Sequence, residues 1–385
     1  MIGPRAAIVI AAPATGAATY DRGVRIVHIE SGRHFYGGAR QVEYLLGGLA
    51  RRGFDNVLIC PPGHPLSRRD DLGRILEVPM HGDLDFAMVR RLRRAFARAQ
   101  PDIVHVHSRR GADLYGGFAS RLDHRRAVLT RRVQSAEPRF WARLKYRPYA
   151  RIVAISGAVL AQLRDDVGLD PDRLETIASA VDTDVYRPDP RARARVLETF
   201  ALGPEALVVG VAGQLIARKG HAFLFRALPA VVARHPQLRV LCFGRGPRSI
   251  ELERLIGRLG LRANVRLTGF RDDLPALLPG LDLLAHTPER EGLGIAVLEA
   301  MSCEIPVVAT EAGGIVGAIG DTRQGLLLRY GDTAALVAAL ERLIADPHER
   351  RRLGQAGRIR VLSEFTVDLM TERYVEVYRN VPSAG

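Results

Sequence analysis

The stretch Leu207-Val208-Val209-Gly210-Val211-Ala212-Gly213 carries no charge and no polar alternation, and this restricts the fold more than any other feature. A strand that is apolar on both faces must be covered on both faces, so it belongs in a parallel sheet between helices. Similar runs recur in the first half near residues 24–30, 56–60, 103–106, 127–130 and 152–155, separated by helical patterns, with a further strand-like piece over 173–180. In the second half the alternation continues to about Leu328, and helices fill the chain from Thr333 onward. Alternating strands and helices imply doubly wound α/β sheets. At 385 residues the chain exceeds what one core usually supports, so two domains are expected. The turn-rich stretch 182–188 reads as their linker. The expected divisions are a loose N-terminal extension over 1–22, a first domain over 23–183, a second over 184–364, and a closing helix over 365–385.

Two glutamates point to a ligand. Glu291 sits in a glycine loop, Glu291-Gly292-Leu293-Gly294, and Glu299 lies within the helix that Ile295 opens and that ends before Pro306. A helix start with free amides and a positive dipole end attracts an anion. Two acids beside such a site are favourable when they meet hydroxyl groups, so the ligand expected here is phosphorylated and sugar-like, a nucleotide sugar. The plain alternative is a surface helix that happens to carry two glutamates. Arg218 and Lys219 follow the apolar strand at 207–213, where open α/β sheets bind ligands. A guanidinium fork beside an ammonium suits a diphosphate, although such a pair in a loop is often only solvated.

The first half offers fewer signals. Gly37 and Gly38 lie between the first strand and a helix, as a phosphate-facing loop or a simple turn. His105 and His107 flank Val106 and so face one side of a strand. A metal reading of the two histidines lacks an evident third ligand. The loop that His107 opens offers Arg109 as an acceptor-side residue. Arg131 and Arg132 end a strand and face the cleft by position, as contacts for acceptor phosphate or donor, or as a solvated pair. Ser156-Gly157 reads as a helix cap. Neither Gly37-Gly38-Ala39-Arg40 nor Gly244-Arg245-Gly246-Pro247 completes the dinucleotide fingerprint, so hydride chemistry loses support.

Taken in order, Arg218-Lys219-Gly220, the segments 240–247, 265–274 and 282–288, the two-glutamate motif, and Pro306 to Gly314 resemble the nucleotide-sugar domain of the retaining glycosyltransferases of family 4. The resemblance covers roughly residues 24–380, and its carboxyl half is the specific part. It implies the GT-B architecture: two Rossmann-like domains facing across a cleft, the first binding acceptor and the second donor, with the last helix returning to the first domain. It implies that Arg218 and Lys219 hold the donor diphosphate, that Glu299 accepts from ribose hydroxyls, and that Glu291 lies toward the transferred sugar. It places His107 near the sugar ring, and Gly37 and Gly38 facing the donor diphosphate and the acceptor, with Gly37 on the acceptor side. Gly246, Phe270, Gly292, Leu293, Gly294 and Ile295 complete the implied donor site. Retention of anomeric configuration, a UDP-, GDP- or ADP-linked donor and no metal or other cofactor are further implications. Two departures are local. The chain has Ser179-Ala180-Val181-Asp182 where the family often has Asn-Gly-Val-Asp, and Gly317 where a glutamate often follows the paired glycines. Both touch donor-hydroxyl contacts rather than the diphosphate clamp.

The net charge of +14 is largely arginine. Nucleic acid is not expected, because no aromatic platform or zinc spacing accompanies the charge. An anionic membrane surface fits better, with the helical pattern at 88–98 either lying on headgroups or packing its apolar stripe inward. The three cysteines, Cys60, Cys242 and Cys303, are scattered and fit a reducing compartment. A short apolar stretch at 6–18 resembles a signal peptide in composition, but a first strand follows at once, which favours an extension. The expected enzyme is cytoplasmic, or peripheral on the inner face of the cytoplasmic membrane, and works on a lipopolysaccharide, another envelope glycan or a lipid-linked precursor. An epimerase of the same architecture and a non-catalytic nucleotide-binding membrane protein are the alternatives.

Overall fold

A computed structural model describes residues 23–32, 35, 37–107, 111–134 and 137–382. The first sheet contains β1 (Arg25–Ile29), β2 (Asp55–Cys60), β3 (Arg74–Glu77), β4 (Ile103–Val106), β5 (Arg126–Arg131), β6 (Arg151–Ala154) and β7 (Leu174–Thr176). The second contains β8 (Leu207–Ala212), β9 (Leu238–Phe243), β10 (Val265–Gly269), β11 (Leu283–His286), β12 (Val307–Thr310) and β13 (Leu326–Leu328). The strand orders are β3-β2-β1-β4-β5-β6-β7 and β10-β9-β8-β11-β12-β13. All pairings are parallel, for example Val27 opposite Val57 and Val104, and Leu283 opposite Val209. Each order reverses once, between β1 and β4 and between β8 and β11. The chain therefore folds as two Rossmann-like units of GT-B type.

Two sequence expectations shift. The edge strand β3 was not expected, because Arg-Ile-Leu-Glu is charged at both ends and only the sheet edge beside β2 recruits it. The piece expected over 173–180 shrinks to β7. Beyond it, the amide of Gln41 brackets Ala180, donating to its carbonyl and accepting from its N–H at 2.7 Å each, so a side chain replaces the strand ladder there.

The helix Met88–Ala99 turns Met88, Leu92, Ala95, Phe96 and Ala99 into the first core. Its apolar stripe is used up against the sheet, which corrects the reading in which it lies on lipid. No helix among the described residues is long and apolar enough to cross a membrane. The three cysteines are buried and unpaired.

The two units share one apolar cluster that runs from Val104 and Leu129 through Leu293 and Val297 to Leu241 and Leu284. The last helix, Val367–Arg379, lies against the first sheet. Met370 and Tyr374 pack with Ile26, Leu45 and Val128, and the Tyr374 hydroxyl meets Thr130 Oγ1 at 2.9 Å. Gly48 makes that contact close: a Cβ there would lie 2.2 Å from Thr371 Oγ1.

Candidate functional site

Open α/β sheets bind ligands beyond the carboxyl ends of their strands where the order reverses. In the second unit that point is reached by the segment after β8, which carries Arg218 and Lys219, and the segment after β11, which carries Glu291. A short helical turn at Ala217–Lys219 aims both basic side chains. It ends at Gly220 (φ 70°), where a Cβ would lie 1.7 Å from the Thr287 carbonyl. Only glycine lets these two segments approach so closely.

Lys219 Nζ is ion-paired with Glu291 Oε2, both side chains nearly buried at 14% and 12% exposure. His286 Nε2 lies 3.3 Å from the same oxygen. Glu291 Oε1 accepts from the N–H of Gly292 at 3.1 Å. Burial alone would raise the Glu291 carboxyl, but the adjacent His286 and the charge of Lys219 outweigh burial and hold it well below the usual carboxylate range. Burial lowers His286, so it stands neutral beside the pair. A buried ammonium with a fixed partner is rigid, and rigid charge stabilises developing negative charge without reorganising. Arg218 is half-buried, with Nη1 3.4 Å from the Arg290 carbonyl.

Glu299 occupies a different environment on the helix Ile295–Ser302, which starts at Gly294 without a side-chain cap or an acid in its first turn. Burial raises its carboxyl to about 7, against a hydrogen bond with Tyr186 and the charge of Arg40, both of which favour the ionised form. Tyr186 comes from the linker and Arg40 from the first domain's helix Gly37–Arg51, so Glu299 sits where both units and their connection meet.

The units touch through backbone. A Cβ on Gly292 would lie 2.7 Å from the Arg132 carbonyl, and one on Gly37 would lie 3.0 Å from Ile295 Cδ1. Ser156, read from sequence as a cap, accepts from the N–H of Val159 at 3.3 Å. Its hydroxyl also donates to the Gly292 carbonyl at 2.7 Å, fastening the glutamate loop to the first domain.

In the first unit the switch point carries a buried histidine cluster. His28 on β1 stands in register with His105 on β4, and His107 follows β4 on the same side. His28 Nδ1 and His107 Nε2 are 3.0 Å apart. His105 bonds the Tyr378 hydroxyl at 2.6 Å and Thr130 Oγ1 at 2.7 Å. Burial lowers all three, His28 to about 3. His28 thus supplies the third histidine that was not evident in sequence, and ligand atoms of the three lie within 4.8 Å of one another. The hydroxyls on both His105 nitrogens and the nearby charge of Arg132 oppose a cation there. His107 is 2% exposed, and its Nδ1 has no hydrogen-bond partner among the described residues.

Arg131 and Arg132 separate. Strand alternation sends Arg131 inward to Glu137, with Nη2 3.1 Å from Oε1, and Lys145 and Tyr146 complete that network. This corrects the reading of Arg131 as a ligand contact. Arg132 lies against Gly38, where a Cβ would be 3.8 Å from its Cδ, and its Nε and Nη2 are buried without a partner among the described residues. Arg109 lies outside the described residues.

The remaining predicted positions divide. Leu293 is a core side chain, 3% exposed, which leaves only its backbone for a ligand. Gly246 lets the loop after β9 lock under Leu215, whose carbonyl would be 2.4 Å from a Cβ. Phe270 is 45% exposed, with the Arg245 guanidinium 5.9 Å from its ring centroid. Sequence reading missed His28, His286, Tyr186 and the cross-domain role of Ser156. His286 alone had a signal, as the polar end of an apolar strand.

The family model described as Glycosyl transferases group 1 matches residues 198–360, and that for Glycosyltransferase Family 4 matches residues 35–185. The lipopolysaccharide core biosynthesis glycosyltransferase LpsE of Rhizobium meliloti is 26% identical over 364 residues, 93% of this chain and 100% of the relative. The GDP-mannose-dependent alpha-(1-6)-phosphatidylinositol monomannoside mannosyltransferase of Mycolicibacterium smegmatis is 38% identical over 194 residues, 48% of this chain and 50% of the relative. The chain thus spans about half the length of that curated relative. The alpha-maltose-1-phosphate synthase of the same organism is matched over 62% of its length. Among solved structures, a glycosyltransferase from Rickettsia africae superposes with a TM-score of 0.83 at 19% identity, covering 93% of this chain and 98% of the other. Anabaena HepE, in complex with UDP-glucose, superposes with a TM-score of 0.81 at 20% identity, covering 92% and 99%.

Proposed function

This chain belongs to the group 1 glycosyltransferases of family 4, and from that premise we propose that it moves a sugar from a nucleotide-sugar donor to an acceptor hydroxyl, with retention and without a metal. One observation carries the reading: the nearly buried Lys219–Glu291 pair, with Arg218 beside it, stands at the switch point of the second sheet. Loss of the donor's diphosphate builds negative charge on the leaving group. Lys219 and Arg218 meet that charge, with the amides around Gly294 and Ile295 adding to it. Glu291 lies toward the transferred sugar, and Glu299 accepts from the ribose hydroxyls. His107 approaches the sugar from the first domain. The leaving phosphate assists deprotonation of the acceptor on the same face. The HepE complex with UDP-glucose supports a nucleotide-sugar donor, and LpsE supports an envelope glycan or lipid-linked acceptor. The charge of +14 supports work at an anionic membrane surface from the cytoplasmic side.

The test screens UDP-, GDP- and ADP-sugars for binding and slow hydrolysis by the purified chain with chelator present. Selective binding of one donor with release of free nucleotide is expected. Binding to none of them, or release only after metal is added, overturns the reading.

A further inference from the structure

Four large apolar side chains stand out from the first domain on the edge that carries the cleft. Leu84 is 85% exposed and Phe86 74%, in the loop after β3. Phe140 is 73% exposed and Trp141 64%, on the helix Arg139–Tyr146 that follows β5. The Phe140 and Trp141 rings meet edge to face, with centroids 5.6 Å apart. Both pairs hang on the first turn of the helix Ala112–Leu122. On one side, Tyr115 donates its hydroxyl to the Asp83 carbonyl and meets the Phe86 ring edge-on. On the other, Lys145 lies 3.2 Å from Asp113, whose carbonyl accepts from the Tyr149 hydroxyl at 2.7 Å. Scattered exposed apolar residues need no explanation, whereas several on one rim mark an interaction site.

The surrounding charge is mainly basic, although Asp83 and Asp85 flank Leu84 and Phe86 and Lys145 is ion-paired with Asp113 and Glu137. Residues 138–151 carry five basic side chains and no acid, and residues 88–101 carry five arginines and no acid. Arg91 and Arg93 pair with Asp85 and Asp123, but Arg90, Arg94 and Arg98 have no acidic partner among the described residues. On the Phe140–Trp141 helix, Arg139 and Arg143 donate to backbone carbonyls of residues 165–167 and form no ion pair among the described residues. Aromatic rings beside such cations complement a lipid surface, where rings seat among headgroups and cations meet phosphates. We propose that this rim docks on an anionic phospholipid bilayer, with Phe140 and Trp141 as the inserted element. The inference rests on the part of the proposed function that puts the enzyme at an anionic surface, not on its transfer chemistry. It moves the contact from the helix Met88–Ala99, whose stripe is buried, to the helix Arg139–Tyr146. The same helix carries Lys145 and Tyr146, which join Arg131 at the end of β5 in the Glu137 network, so the rim is tied to the carboxyl end of the first sheet.

Trp141 is the chain's single tryptophan and reports its own environment. The full chain is titrated with vesicles of phosphatidylglycerol and phosphatidylcholine, and with phosphatidylcholine alone. Anionic vesicles should blue-shift Trp141 emission, expose it to quenching by brominated acyl chains, and carry the protein into the pellet less strongly as salt rises. Replacing both rings, Phe140→Ser with Trp141→Ser, should lower partitioning by about tenfold or more. Ile359→Ser, at a position 68% exposed on the second domain's helix Pro347–Glu364, should leave it unchanged. Unshifted emission, or equal pelleting of the double variant, overturns the proposal. So does a lipid-free dimer that buries Trp141, because a second copy would then be the occupant. Donor hydrolysis on the same preparations separates the two readings: lost vesicle binding with intact hydrolysis removes only the docking surface, and the converse removes only the transfer chemistry.

Discussion

The switch points of the two sheets are built from opposite kinds of polar group. In the second unit an ammonium and a carboxylate, Lys219 and Glu291, are paired and charged, with a neutral His286 alongside. In the first, burial holds His28, His105 and His107 neutral, and His107 has a nitrogen with no partner among the described residues. A paired charge is already oriented before a ligand arrives, whereas a buried polar atom without a partner is costly until something fills the gap. The second unit therefore presents charge oriented in advance, and the first presents neutral rings with a buried nitrogen unpartnered among the described residues. Under the proposed function the contrast becomes one between a domain that would hold the donor phosphates and one that would meet the reacting group.

The sharpest way to break the comparison is Lys219→Ala. It removes the preformed cation and leaves Glu291 without its ion pair, so turnover should fall on the order of 10²–10³-fold with weaker donor binding. Near-normal donor affinity and rate would take Lys219 out of the diphosphate site. On the neutral side, His107→Ala should lower transfer by roughly tenfold to a hundredfold while nucleotide affinity changes little. Equal losses in both would make His107 a binding residue and erase the division.

Glu299 tests the boundary between the units. Glu299→Ala should weaken nucleotide binding by about 1–3 kcal/mol, measured by calorimetry, and an unchanged affinity would end its assignment to the ribose. Its carboxyl, raised from the ordinary 4.5 to about 7, is protonated below that pH and then accepts more weakly from ribose hydroxyls. Nucleotide-sugar affinity should therefore climb as pH rises through about 7, and Glu299→Gln should flatten that climb. The stability contribution has the opposite sense: for a raised acid it is fully present below 4.5 and is lost as pH rises through about 7. The smallest effect expected is from Ser156→Ala, which removes the hydroxyl bond to Gly292 and should cost about 1 kcal/mol in thermal or denaturant unfolding. A loss in donor affinity well beyond that would show that the cross-domain tie also positions Glu291.

Much of the fold was legible because its determinants are local. Strands apolar on both faces, such as Leu207–Ala212, announce burial in a parallel sheet without knowledge of their neighbours. Arg218 and Lys219, one residue apart, and the Glu291-to-Ile295 turn are likewise contained in short segments whose chemistry survives being read alone. The edge strand β3 was not legible, because its pairing is conferred by β2 and its own residues favour no strand.

The sequence by itself determined two doubly wound units, the adjacent cations Arg218 and Lys219 and the pair of acids near a helix start, since period and residue type within a few positions set these. Tertiary structure decided the rest. Register between β1 and β4 brought His28 beside His105, strand alternation sent Arg131 to Glu137 and away from Arg132, and packing of the two domains gave Ser156 its bond to Gly292. It also decided which aromatic residues stay outside: Phe96 enters the core while Phe140 and Trp141 remain in solvent. Each of these depends on contacts between segments far apart in the chain, and such contacts exist only once the sheets have closed and their register is set.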